Sequence, residues 1–246
     1  MDAASGHTVL VVDDDEDLLE LLKYEYTLKG FRALSAHCGD EAFGITESQP
    51  VDAVVTDIRM AGGDGLSLLR TLKGINARHP VVILISGYAD TTAREILALG
   101  GEALFAKPFR LKDLVRATER LLKPIEQQWT TPPRHPPTRC ISSNIASPEA
   151  LTNGKEIALG RGGLAFHIPG PAPYLGERIG FVVTFDKEPT DRFEGCGVVR
   201  WTSQATQQIP LTAGIEFEFL TSQTRARMSA SLADHPIGPF IPSLAP

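Results

Sequence analysis

Asp13, Asp14, Asp57, Ser86 and Lys107 are residue types that work together in phosphoryl chemistry. Each lies at the end of a short apolar stretch: TVLVV before Asp13 and Asp14, VDAVVT before Asp57, VVILI before Ser86 and ALFA before Lys107. Clustered carboxylates repel one another and ionise together at low cost only around a cation, and hard oxygen ligands beside water suit Mg²⁺. A carboxylate is also a nucleophile toward phosphorus, and the charge on a transferring phosphoryl group needs a metal, an ammonium and a hydroxyl around it. Mg²⁺, Lys107 and Ser86 can supply all three. A single Asp after a strand is an ordinary helix cap or turn former; five residues of the right types at successive strand ends make a constellation.

The surrounding sequence predicts the elements that would gather these residues. Apolar, β-branched runs at 8–12, 31–35, 51–56, 81–85 and 103–106 read as buried strands. Between them, helical spacing of Leu18, Leu19, Leu21, Leu22 and Leu28 up to Gly30, and at 40–48, 66–72, 91–99 and 111–122, predicts five helices. Strictly alternating strands and helices imply a doubly wound parallel sheet covered on both faces, which binds its ligands outside the carboxyl ends of the strands.

The stretches VLVVDDDEDLLELL, VVTDIRM, ILISGYAD and KPF, in that order across about residues 7–123, resemble the receiver domain of two-component response regulators. The resemblance implies that Asp57 is the phosphoacceptor for a cognate histidine kinase. It further implies that Asp13, Asp14, Asp57 and the backbone carbonyl of Arg59 hold Mg²⁺, that Ser86 is the switch hydroxyl, that Lys107 contacts the phosphoryl group, and that the Lys107–Pro108 bond is cis. A receiver catalyses only its own phosphoryl transfer and dephosphorylation. Arg59 and Tyr88, two residues beyond Asp57 and Ser86, are candidates to screen the phosphoryl group from water, or are solvated loop residues. The sequence departs from the family at Leu104, three before the lysine, where an aromatic switch residue is usual; Phe105 falls on the opposite face of the strand. RMAGGDG also lacks the proline that commonly follows the methionine, which makes that loop costlier to order.

Size and proline content place a seam after this region. The chain has 246 residues, enough for two domains, and only four of its 18 prolines lie in the first 124. Residues 124–138 read as a proline-rich extended linker and residues 235–246 as a proline-rich tail. Between them, strand-like runs at 157–159, 164–168, 179–185, 195–201 and 214–220, separated by turn clusters such as GRGG and DKEPTD, predict a small closed β-barrel, with a helix at 221–232. GGLAFHI, LGERIGFVVTF, GVVRW and AGIEFEF resemble a PilZ domain, a six-stranded barrel over about 139–234 best known as a receptor for cyclic di-GMP. The expected fold is therefore a (βα)5 receiver at 1–123 followed by a PilZ-like barrel.

The nucleotide motif of that family is damaged here. Where the pattern [D/N]xSxxG ends on Gly163, Ala158 stands for the acid or amide and Gly160 for the serine; the upstream arginines are Arg134 and Arg139, five apart instead of four. Arg161 in GRGG is a substitute candidate, or an ordinary solvated turn residue. Each missing hydrogen bond to a charged ligand is worth about 1.5–3 kcal/mol, so cyclic di-GMP binding is expected to be weak or absent. A protein partner then becomes the expected output, with a nucleotide-binding effector as the alternative. Counted separately, the halves carry 14 cationic against 19 anionic residues and 10 against 11, that is −5 and −1, without the basic excess that DNA binding needs. Cys38, Cys140 and Cys196 are widely spaced without a CxxC and read as free thiols in a reducing compartment. No run spans a bilayer and no signal layout opens the chain, so a cytoplasmic protein is expected, its oligomeric state, homodimer included, left open.

Overall fold

The computed structural model describes residues 6–61, 63–87, 92–151, 157–186, 188–203, 210–234 and 238–244. The chain divides into two compact units, Met1–Lys123 and Pro124–Pro246.

The first unit alternates β1 (Thr8–Val12), α1 (Glu16–Leu28), β2 (Arg32–Ala36), α2 (Gly39–Ser48), β3 (Ala53–Asp57), α3 (Gly65–Ile75), β4 (Val81–Ser86), α4 (Ala93–Ala98), β5 (Ala103–Ala106) and α5 (Leu111–Leu121). All strand pairs are parallel, in the order β2-β1-β3-β4-β5. Strands β1, β3 and β4 are buried at every residue, which is why they read as unbroken apolar runs. The order in which strands are added to the sheet reverses at β1, with β2 on one side and β3 on the other, and this switch point brings the carboxyl ends of β1 and β3 together beside those of β4 and β5. The helices start on identifiable caps: Asp15 accepts from the N–H groups of Asp17 and Leu18, Asp64 from Ser67, and Thr92 forms a capping box with Glu95. Lys73, buried on α3, donates at 2.7 Å to the Pro80 carbonyl and to Glu102, whose other oxygen accepts from Val82 N–H. This pair escaped the sequence reading because charged residues are rarely so deeply buried.

The second unit contains β6 (Arg139–Ile145), β7 (Ile157–Leu159), β8 (Gly163–His167), β9 (Arg178–Phe185), β10 (Glu188–Thr202), β11 (Thr212–Leu220) and α6 (Ser222–Asp234). These strands form one curled, mixed sheet in the order β6-β9-β10-β11-β8-β7, with β6 parallel to β9 and the remaining pairs antiparallel. Three expectations are corrected here. Among the described residues β6 and β7 do not pair, so the sheet is a half-barrel rather than a closed one; the edge strand β7 is only three residues long, which limits the exposed ladder. Strand β6 itself was missed, because RCISSNI is too polar to stand out as a buried run. DKEPTD does not form a long turn, since β10 already begins at Glu188.

Both proline-rich segments also belong to the packed unit. Ile125–Gln127 is a 3-10 turn, Trp129 is buried in the half-barrel core edge-on to Phe217, and its carbonyl accepts from Leu220 N–H. The extended proline-rich linker is thus packed onto the half-barrel through the buried Trp129 indole. At the other end Phe240, Ile241 and Leu244 are buried, and the carbonyls of Pro239 and Phe240 accept from the N–H groups of Arg161 and Gly162. The expected tail is thus docked through its described part, 238–244. Gly162 permits this contact, since a Cβ there would stand 1.9 Å from the Phe240 ring.

Phe240→Ala is expected to destabilise the second unit by about 3–5 kcal/mol. Both tryptophans of the chain, Trp129 and Trp201, lie in that unit, so urea unfolding followed by tryptophan emission measures the loss.

Candidate functional site

At the carboxyl end of the parallel sheet, Lys107 sits between two buried carboxylates. Its Nζ donates to Asp13 Oδ2 at 3.2 Å and lies 3.4 Å from Asp57 Oδ1. Asp13 and Asp57 are 2% and 7% exposed. Burial and the like charge of Asp13 push the Asp57 carboxyl above the usual range, against the opposing pull of the Lys107 ammonium. Burial opposes the charge on Lys107, but Asp13 and Asp57 outweigh it and raise its pKa. Asp57 Oδ1 is buried without a hydrogen-bond partner, so this oxygen is desolvated and held by the ion pair to Lys107.

The expected residues are distributed unevenly. Ser86 ends β4, is 8% exposed, and its carbonyl accepts from Lys107 N–H at 2.7 Å, which registers the lysine against it. The three consecutive acids separate into three tasks. Asp13 turns inward and also accepts from Asp15 N–H at 2.9 Å; Asp14 is exposed and accepts from Ala61 N–H at 2.9 Å; Asp15 caps α1. Hence the expected cluster of three carboxylates is not assembled: no three His, Cys, Asp or Glu side chains among the described residues converge on one metal-sized point. In this arrangement the Ala61 N–H holds Asp14, and the Lys107 ammonium lies against Asp13 and Asp57. Arg59 is exposed in the loop after Asp57, Tyr88 and Gly62 lie outside the described residues, and the Lys107–Pro108 bond is cis. Leu104 is part-buried against the core beneath the site, paired with Leu84, while Phe105 meets Phe109 edge-on at 6.2 Å. Gly65 was not anticipated. Its N–H donates to the Ile58 carbonyl, and a Cβ there would stand 2.1 Å from the Asp57 carbonyl oxygen, so only glycine lets α3 start so close to the acceptor.

A hard cation fits the donor chemistry. The orphaned Asp57 Oδ1, the Asp13 and Asp14 carboxylates and the backbone carbonyl of Arg59 are all oxygen donors, once Asp14 leaves Ala61.

The arginines proposed for nucleotide binding are engaged or dispersed. Arg134 is exposed. Arg139 donates to the buried Glu177 carboxylate and to the Pro171 carbonyl, both at 2.9 Å. Arg161 donates to the Gly238 carbonyl at 3.2 Å and lies over the Phe240 ring.

Residues 9–119 match the response regulator receiver domain, and this part of the chain belongs to that family. The chain is similar to the transcriptional regulatory protein CpxR of Klebsiella pneumoniae, 30% identical over 156 residues that cover 61% of this chain and 66% of that protein. It is also similar to the response regulator GtcR of Aneurinibacillus migulanus, 31% identical over 116 residues, 47% of this chain and 48% of that one. A solved receiver domain, that of the Francisella response regulator 1452, is 30% identical with a TM-score of 0.44, covering 48% of this chain and 97% of its own. The chain thus spans about half to two thirds of these curated relatives.

A carboxyl whose pKa is raised by folding stabilises the native state fully only below its unfolded pKa, about 4, and that stability is lost as pH rises through the native value. Asp57→Asn is therefore expected to raise the melting temperature of the receiver at pH 7, with the gain shrinking as pH falls toward 4. Calorimetry of both proteins across that range checks the sign.

Proposed function

We propose that this protein is a two-component response regulator in which Asp57 accepts a phosphoryl group from a histidine kinase, and in which a PilZ-like half-barrel delivers the output by binding a protein rather than DNA. The observation that carries the reading is the desolvated Asp57 oxygen held 3.4 Å from the Lys107 ammonium. In the transfer, an Asp57 oxygen bonds to phosphorus as the bond from phosphorus to the donor breaks. Lys107 stands where the phosphoryl oxygens arrive, and its charge needs no reorganisation to meet them. The Ser86 hydroxyl, on the adjacent strand end, is the switch donor. Asp13, Asp14, Asp57 and the Arg59 carbonyl would hold Mg²⁺, which would neutralise the phosphoryl charge. Leu21, Tyr24 and Leu28, 46%, 61% and 62% exposed at helical spacing on α1, form an apolar stripe, and such a stripe suits a docking protein.

For the output, the −1 charge of the second half and the engagement of Arg139 and Arg161 by its own groups favour a protein partner over DNA or cyclic di-GMP. The PilZ-like assignment rests on the strand sequence and the curled six-stranded sheet. CpxR of Klebsiella pneumoniae is named a transcriptional regulatory protein; that output is not carried over.

Acetyl phosphate with Mg²⁺ is expected to shift the wild-type protein on a phosphate-affinity gel, and to leave Asp57→Asn unshifted. EDTA should abolish the shift. A wild type as inert as Asp57→Asn, under conditions that label another receiver, would overturn the reading.

A further inference from the structure

The open side of the half-barrel contains a cavity of about 410 Å³ that no step above uses. Residues toward both free edges of the sheet line it: Ile141 and Ser143 on β6 and Phe181 and Val183 on β9 at one edge, Ile157 on β7 and Phe166 on β8 at the other. Its size falls within the roughly 300–1,000 Å³ of small-molecule pockets, which are mostly apolar with a few placed polar groups. The cavity matches that pattern in composition as well as volume. His167 also lines it, and His167 Nδ1 is buried with no hydrogen-bond partner. That nitrogen has no surface open to the cavity, so a guest meets it only when the imidazole turns, and until then it stays unsatisfied at a cost.

We propose that this cavity binds a small amphiphile, an acyl chain ending in a carboxylate, with the chain along the apolar wall and the carboxylate on His167 Nδ1. Among the described residues the wall contains no lysine or arginine, so a phosphate or nucleotide would meet none of the cationic partners it requires there. A purely apolar guest would leave the histidine nitrogen unsatisfied. A carboxylate accepts the Nδ1–H hydrogen bond, and a protonated imidazole strengthens it by charge. Apolar burial supplies the remaining affinity. Ser143, half-buried on β6, lines the cavity, where a larger side chain would fill part of its volume. The inference depends on neither Asp57 phosphorylation nor the PilZ-like assignment.

The test uses the full chain and cis-parinaric acid, whose emission rises on leaving water, with its methyl ester as the headless probe. Saturable one-to-one binding of the acid to the wild type is expected. Ser143→Trp should weaken acid and ester by about tenfold or more, and His167→Ala should weaken the acid by about tenfold while leaving the ester unchanged. Circular dichroism and thermal midpoints near wild type establish that each variant is folded. No saturable binding to the wild type, or unchanged binding to a folded Ser143→Trp, would overturn the site. Should Ser143→Trp not fold, equal acid and ester affinity in wild type, with both unaffected by His167→Ala, would overturn the proposal on its own.

Discussion

An ammonium held between two buried carboxylates accounts for most of the first unit's design. Asp13 and Asp57 could not both stay ionised so far from water at low cost without the opposite charge of Lys107. Three strand ends must meet to bring them together, and the parallel order β2-β1-β3-β4-β5 achieves this by setting β1 beside β3, with β5 registered on β4 through the Lys107 N–H to Ser86 carbonyl bond. Gly65 lets α3 begin against the Asp57 carbonyl, and Asp14 holds the loop after Asp57 through Ala61. A metal and a phosphoryl group would each change the charge balance around that ammonium. The loop and the strand ends that share it are then the parts positioned to respond.

The second unit places its chemistry differently. Its ends are anchored by aromatic side chains, Trp129 before the sheet and Phe240 after it, and the glycines of the GRGG turn give Phe240 its place. Arg139 and Arg161 serve this packing through Glu177, Pro171 and Gly238. The accessible apolar feature of this unit is the cavity lined by Ile141, Phe166 and Phe181.

The sheet of the first unit was legible because buried parallel strands are written as uninterrupted apolar runs, and because Asp13, Asp57, Ser86 and Lys107 follow those runs directly. The division of labour among Asp13, Asp14 and Asp15 was not, since three identical residues in a row differ only in the direction each side chain takes from the turn. Gly65 was equally silent: a glycine demanded by close approach looks like any loop glycine. In the second unit the alternating strands could be read, but RCISSNI was too polar to announce β6, and proline-rich composition concealed that Trp129 and Phe240 are core residues. Closure of the barrel was inferred from the general liability of free edges. A three-residue β7 manages that liability without closure.

Carbon-detected titration of the aspartate carboxyls by NMR, in the wild type and in Lys107→Met, addresses the charge balance at its source. The Asp57 carboxyl is expected to titrate above the usual carboxylate value of about 4 and to rise further when the ammonium is removed, because burial and Asp13 remain while the attraction is lost. An Asp57 that titrates as an ordinary carboxylate, unchanged by Lys107→Met, would contradict the account.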